Sequence, residues 1–336
     1  MSFLSKLPDI AFTKPQFCSI LGNTLLSTVP GISGAGPNPE GTLYTPVLDA
    51  ELVTHGAITS FPMKPNTPTG CPTPASITRA MMELSGIRPL FINAGLRHRP
   101  TVPCFDVYGD VGGDPRNGDA VPRVRDLFSR GEMMGEILSD TSDLLILGEC
   151  VPGGTTTALC VLRALGYDAA VSSSFAKNPV TLKEEICRLV LERIRNAGVT
   201  DPLDIVRSAG DPMMPVAAGI AKSYTGNLLF AGGTQMLAVC ATIKAMGGNL
   251  PAVVTTAYVR DDPTANVPAL AGQIGAEMIY VDPGFGDLGH AGLARYCIGE
   301  VKEGMGAGGA MCLAHLTGHS AEEIRNKILT SVSAYS

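Results

Sequence analysis

Asp143-Leu-Leu-Ile-Leu-Gly-Glu-Cys-Val-Pro-Gly-Gly-Thr-Thr-Thr157 runs from apolar residues through a glycine-bearing turn into a helical pattern. Four apolar residues in succession, Leu144 to Leu147, suit a strand buried on both faces, as in a parallel sheet. Gly153 and Gly154 let the backbone come close to a ligand. The free N–H groups of the helix that follows favour an anion. Thr155, Thr156 and Thr157 offer hydroxyl donors beside them. The same turn serves equally well as an ordinary strand-to-helix connection in which a threonine caps the helix. No lysine follows the glycines, so the pattern is not that of a nucleoside-triphosphate loop, and a single phosphate is the expected anion.

Outward from this unit the alternation repeats. Pro89 to Asn93, Val102 to Val107, Leu228 to Ala231, Ala252 to Val259 and Met278 to Val281 read as further buried strands. Helical spacing covers Pro122 to Leu138, Thr155 to Leu165, Leu182 to Ile194, Pro212 to Ala221, Thr234 to Met246 and Pro263 to Ile274. Such a succession predicts an α/β fold of three layers, a mainly parallel Rossmann-like sheet with helices on both faces. Before Arg88, the Gly/Pro-rich stretches Pro30 to Gly41 and Pro62 to Pro74 break up regular structure. Residues 1–87 are therefore expected as N-terminal segments of a small capping domain and 88–300 as the nucleotide-binding core. Residues 301–336, with helical patterns at Ala307 to Leu316 and Ala321 to Thr330, are expected to complete the small helical domain.

Composition narrows the function. The 336 residues carry 25 basic and 31 acidic side chains, a net charge of -6 without long like-charge blocks, which argues against nucleic acid and anionic membranes as partners. No apolar run reaches the ~20 residues of a membrane span. The first residues do not resemble a secretory signal, and a cytoplasmic location is expected. Nine cysteines, an odd number without C-x-x-C spacing, read as mostly buried thiols rather than a disulfide or zinc framework. Mean hydropathy of +0.21 with only 5% aromatics points to close packing of small residues and to an apolar face covered in an oligomer.

Since ligands of open α/β sheets bind beyond the carboxyl ends of strands, the turns there are candidates. They include Ser172-Ser-Ser174, Ala231-Gly-Gly-Thr234 and Thr255-Thr-Ala257. In Lys302-Glu303-Gly-Met-Gly-Ala-Gly-Gly-Ala310 a carboxylate precedes glycines and a small-residue helix. Buried among apolar groups, Glu303 would have its pKa raised and act as a general base; exposed, it would only complement a helix dipole. His290 and the pair His315 and His319 lack an acidic partner and are read as structural, so no metal is expected. Cys150 is a small lining residue, and Asp261 and Asp262 before Pro263 read as a turn and helix cap.

These residues resemble the nicotinate-nucleotide-dimethylbenzimidazole phosphoribosyltransferases. Gly148-Glu-Cys-Val-Pro-Gly-Gly-Thr-Thr-Thr157 is similar to that family's Gly-Glu-Met-Gly-Ile-Gly-Asn-Thr-Thr, and Lys302-Glu-Gly-Met-Gly-Ala307 to its Gly-Glu-Gly-Thr-Gly-Ala. Asp201 to Gly219 resembles its Asp-Pro stretch and Ala-Gly helix, and Leu229-Phe-Ala-Gly-Gly233 its Asp-Gly-Phe strand end. The similarity spans roughly Asp143 to Leu316. An asparagine of the anion loop is replaced, and the early Ala-Gly-Asp-His-Gly element is present only as Asn93-Ala-Gly-Leu-Arg97, which marks a divergent branch.

The resemblance implies transfer of a phosphoribosyl group from nicotinate mononucleotide to a benzimidazole-like or purine base, for assembly of a cobamide lower ligand, with no cofactor and with a homodimer as the working unit. Glu303 would be the catalytic base. Gly148, Glu149, Gly153, Gly154, Thr155, Thr156, Ser173, Ser174, Gly232, Gly233 and Gly304 would bind the nucleotide. A nucleotide N-glycosidase and a non-catalytic nucleotide-binding regulator are the alternatives.

Overall fold

A computed structural model describes residues 2–335. The chain enters through β1 (Pro15–Gly22), followed by α1 (Thr45–His55) and α2 (Pro74–Ser85). Next come β2 (Leu90–Gly95), the short β3 (Phe105–Asp106), α3 (Val124–Thr141), β4 (Leu144–Cys150) and α4 (Gly154–Ala164). Helices α5 (Val180–Asn196), α6 (Pro202–Ala209) and α7 (Met213–Ser223) lead to β5 (Asn227–Ala231) and α8 (Thr234–Ala245). Then follow β6 (Ala252–Thr256), α9 (Ala257–Arg260), α10 (Val267–Ile274), β7 (Met278–Val281), α11 (Ala291–Ala294), α12 (Ala307–Leu316) and α13 (Ala321–Ser333).

The strands form one parallel sheet in the order β3-β2-β1-β4-β5-β6-β7. β1 and β4 are neighbours from which the chain proceeds in opposite directions, so their following loops diverge and leave a crevice at the carboxyl end. Two apolar clusters flank the sheet. One holds residues of α3 through α8 and α10, the other residues of α1, α2, α12 and α13. Side chains of β1 alternate between them: Cys18 and Ile20 face the first, Phe17 and Leu21 the second.

β1 belongs to the range 1–87 in which the sequence reading expects only capping segments, yet it is an interior strand of the sheet. Gln16 and Ser19 interrupt its short apolar pattern, and Pro15 and Gly22 bound it. Partners on both sides supply what that local pattern lacks. α1, α2 and α6 were also not read from the sequence; in α1 nearly every residue after the first is buried, so no polar face marks the helical period. Small-residue packing is evident where α3 meets α7: a Cβ at Gly131 would lie 2.4 Å from the Val216 carbonyl oxygen, and one at Gly219 2.1 Å from that of Phe128. Of the nine cysteines, seven are buried, Cys104 is half-buried and Cys297 exposed. Among the described residues no helix is long and apolar enough to cross a membrane.

Candidate active site

The crevice beyond β1 and β4 is a cleft of about 1330 Å³. β4 is buried throughout, and its last residues turn into the cleft floor. Gly153 takes a left-handed conformation (φ 82°) and α4 then starts at Gly154 without a side-chain cap; the Gly154 N–H donates to the Val151 carbonyl and the Thr156 N–H to that of Gly153 (both 2.9 Å), and Gly153, Gly154 and Thr155 line the cleft. A Cβ on Gly154 would lie 2.2 Å from Gln235 Nε2, so glycine makes room for that amide. Gln235 donates in turn to Glu149 Oε2 (2.7 Å), as does the Val151 N–H (3.1 Å). Burial, then the negative charges of Asp211 and Glu303, push the Glu149 carboxyl up to about 8.

Thr155 lines the cleft, and its Oγ1 accepts a hydrogen bond from Lys183 Nζ at 3.1 Å. This lysine of α5 also donates to the Ser172 carbonyl (2.6 Å). Burial and the nearby Lys302 push its ammonium down to about 7, opposed by Asp262. Lys302 is buried too; its Nζ donates to the carbonyls of Ser173 (3.1 Å), Phe175 (3.1 Å) and Gly299 (2.9 Å) and pairs with Asp262 at 3.3 Å. Lys302 thus pairs with Asp262 beneath the Ser172–Phe175 turn, and Lys183 lies within the field of both beside the start of α4.

Glu303 stands at the entrance to α12. Its Oε1 accepts from the N–H groups of Gly304 (3.1 Å) and Gly308 (3.2 Å), and its Oε2 from the Thr256 N–H (3.1 Å) and the Thr255 hydroxyl (3.3 Å). A Cβ at Gly308 would come within 2.8 Å of Oε2, so only glycine admits the carboxylate here. Burial pushes the carboxyl up to about 7, against the lowering effect of those four donors. The next turn carries Met305 in a left-handed conformation (φ 49°), held by Thr78 Oγ1 donating to its carbonyl (3.0 Å).

Glu149, Gly153, Gly154, Thr155, Ser173, Ser174, Gly233, Glu303 and Gly304 line this one cleft. The other sequence-predicted residues lie beneath it. Gly148 packs on Gly306, Thr156 is buried with its Oγ1 unpartnered, and Gly232 sits against Met236 and Glu149. Ser174 Oγ accepts from the Gly34 N–H (2.9 Å), which joins the 31–41 loop to the rim. Cys150 lines the cleft with a thiol that donates toward Asp49 Oδ2 (3.6 Å), and burial holds it well above the usual thiol range. His290 caps α11 by accepting from the Leu293 N–H, and His315 Nδ1 meets the His319 carbonyl.

Sequence reasoning did not single out Lys183, Lys302, Asp49 or Gln235. Lys183 sits between Leu182 and Glu184 in a helix rich in charge, where nothing distinguishes it from a solvated lysine. Lys302 adjoins Glu303, and that adjacency was the available signal. Asp262 forms the expected turn by accepting from Thr264, and also accepts from Ser172 Oγ (2.7 Å).

No protein-family model matches the chain. A UPF0284 protein of Methanothermobacter thermautotrophicus is 43% identical over 328 residues, 93% of this chain and 90% of the relative. A UPF0284 protein of Thermococcus gammatolerans is 43% identical over 318 residues, 93% and 96% of the two chains. Among solved structures, the nicotinate-nucleotide-dimethylbenzimidazole phosphoribosyltransferase of Thermus thermophilus superimposes with a TM-score of 0.61 at 15% identity, over 93% of this chain and 83% of that one. A structure of CobT from the same bacterium gives 0.61 at 14% identity, over 94% and 84%. At these identities the likeness establishes a common fold.

Proposed function

The chain belongs to the UPF0284 proteins, and from that membership, the shared fold and the cleft we propose that it is a phosphoribosyltransferase acting on nicotinate mononucleotide. The acceptor is an aromatic base, benzimidazole-like or purine, and the products are an α-ribosyl base 5′-phosphate and nicotinate, as needed for a cobamide lower ligand. The observation that carries this reading is that Glu303 and the glycine turn opening α4 line the same cleft.

The 5′-phosphate would be held at Gly153, Gly154 and Thr155, with Lys183 as its counter-charge. Carbon–nitrogen cleavage releases nicotinate as a neutral pyridine ring bearing its carboxylate, because the bonding electron pair cancels the pyridinium charge. The leaving group therefore needs no acid. The unprotonated imidazole nitrogen forms the new bond to the anomeric carbon from the opposite face, and the positive charge this puts on the ring is removed by loss of the proton on the other ring nitrogen. Glu303 takes that proton on Oε2, where the Thr255 hydroxyl makes the longest of the four contacts and can rotate from donor to acceptor. Most of the acceleration would come from fixing two reactants in a dry crevice.

A homodimer in the cytoplasm completes the proposal: Met133 and Ile137, one turn apart on α3, are exposed apolar side chains that a second copy would cover. The deciding experiment incubates the protein with nicotinate mononucleotide and a panel of benzimidazoles and purines and identifies the products. Nicotinate with an α-ribosyl base phosphate supports transfer; free ribose 5-phosphate supports the glycosidase; neither product leaves a binding protein.

A further inference from the structure

Lys302 lines the cleft beside Glu303, yet it keeps no hydrogen for a ligand. Its ammonium carries three hydrogens and meets four acceptors: the carbonyls of Ser173 (3.1 Å), Phe175 (3.1 Å) and Gly299 (2.9 Å), and Asp262 Oδ2 (3.3 Å). The residue is only 6% exposed. Taking an ammonium out of water is costly, and the bonds that offset the cost also fix the groups that accept them. The Glu303 carboxylate is not one of these, since Gly304, Gly308, Thr255 and Thr256 supply its donors.

What Lys302 fixes is the Ser172–Phe175 turn. Two of its bonds go to carbonyls of that turn, and its partner Asp262, anchored by the Thr264 N–H (2.9 Å) and hydroxyl (2.6 Å), accepts from Ser172 Oγ (2.7 Å). The turn carries Lys183, whose Nζ donates to the Ser172 carbonyl (2.6 Å) and to Thr155 Oγ1 (3.1 Å) at the start of α4. Those two acceptors leave one of the three hydrogens of the Lys183 ammonium uncommitted.

We propose that Lys302 is a positioning residue for the donor phosphate: it contacts no substrate and acts by holding the Ser172–Phe175 turn, which sets Lys183 against Thr155. This rests on the phosphate assignment of the transferase reading and adds a residue that works through Lys183. Loss of Lys302 also has an opposite effect. Burial, then the charge of Lys302, push the Lys183 ammonium down to about 7, with Asp262 opposing. Without Lys302, Lys183 would hold its proton to higher pH and attract a dianion better. At pH 6 it is mostly protonated in either protein, so the loss of position is what remains to be read.

The test is calorimetric titration of the full chain at pH 6 with nicotinate mononucleotide and with nicotinate riboside, which lacks the phosphate. Lys302→Met should weaken binding of the nucleotide about tenfold and of the riboside less than about twofold, as expected for a misplaced charged partner. Lys183→Met should weaken the nucleotide at least as far, and Lys302→Met added to it should lower the affinity no further, because no lysine is left to place. Losses that add, equal losses for nucleotide and riboside, or a Lys302→Met protein that binds the nucleotide as the wild type does overturn the assignment. Should Lys302→Met not fold, Lys302→Gln, which keeps two N–H donors without the charge, is measured in its place. Nicotinate release is read separately: coupled losses without release sink the transferase reading alone, and release with additive losses sinks the role of Lys302 alone.

Discussion

At the residue scale, three side chains carry separable expectations. Glu303 must be ionised to accept a proton, and its carboxyl is pushed up to about 7. Turnover should therefore rise as pH increases through about 7, and Glu303→Gln should lower it at least ~100-fold while nicotinate mononucleotide still binds. Steady-state kinetics with equilibrium titration checks both; unchanged turnover removes Glu303 from the chemistry. Lys183 is held down to about 7 by burial and Lys302, and a bound phosphate dianion would restore its proton. Binding of nicotinate mononucleotide at pH 8 should then take up protons, seen as a dependence of calorimetric heat on buffer ionisation enthalpy. Lys183→Met should abolish the uptake and weaken binding about ten- to a hundredfold. Glu149 has the opposite consequence for stability. Its folded-state pKa, raised to about 8, lies above the ordinary value of 4.5, so the stability associated with its protonated form is present at low pH and lost as pH rises through about 8. Glu149→Gln should accordingly melt higher relative to wild type at pH 9 than at pH 6, by on the order of 2 °C or more.

At the scale of elements, the start of α4 depends on what Gly154 lacks. Gly154→Val would push against Gln235, displace its bond to Glu149 and crowd the cleft wall formed by Gly153 and Thr155. Affinity for the nucleotide should fall about tenfold or more, and an equal affinity in titration would argue against the anion assignment. The same element shows why part of the site was legible. A glycine turn after an apolar strand announces itself within a dozen residues, and so does a carboxylate ahead of Gly304, Gly306, Gly308 and Gly309. Lys183 and Asp49 do not, because their burial is decided by packing with other segments: Lys183 meets Ser172 and Thr155, and Asp49 meets Thr73 and the distant Cys150. β1 was missed for a related reason. Its two faces feed both apolar clusters, and an apolar run broken by Ser19 does not reveal that locally.

For the whole molecule, the interior place of β1 ties the first quarter of the chain to the rest. A fragment beginning at residue 88 would lack the strand that joins β2 to β4 and should not fold; circular dichroism of such a fragment would show this, and a cooperative melt would refute it. The intact chain should unfold with coincident transitions by circular dichroism and tyrosine fluorescence. The three-layer plan itself was readable, because strands and helices alternate at ordinary lengths over most of the sequence. α12 lies on the sheet almost without intervening side chains: a Cβ on Gly309 would come within 2.3 Å of the Ala231 Cβ, and one on Gly148 within 3.1 Å of the Gly306 Cα. Evolutionary drift is thereby barred from a few places. Positions 306 and 309 should admit only glycine, and positions 148 and 231 only glycine or alanine, for as long as the glutamate is in use. A relative with a bulky residue at one of them is expected to have abandoned Glu303 as well.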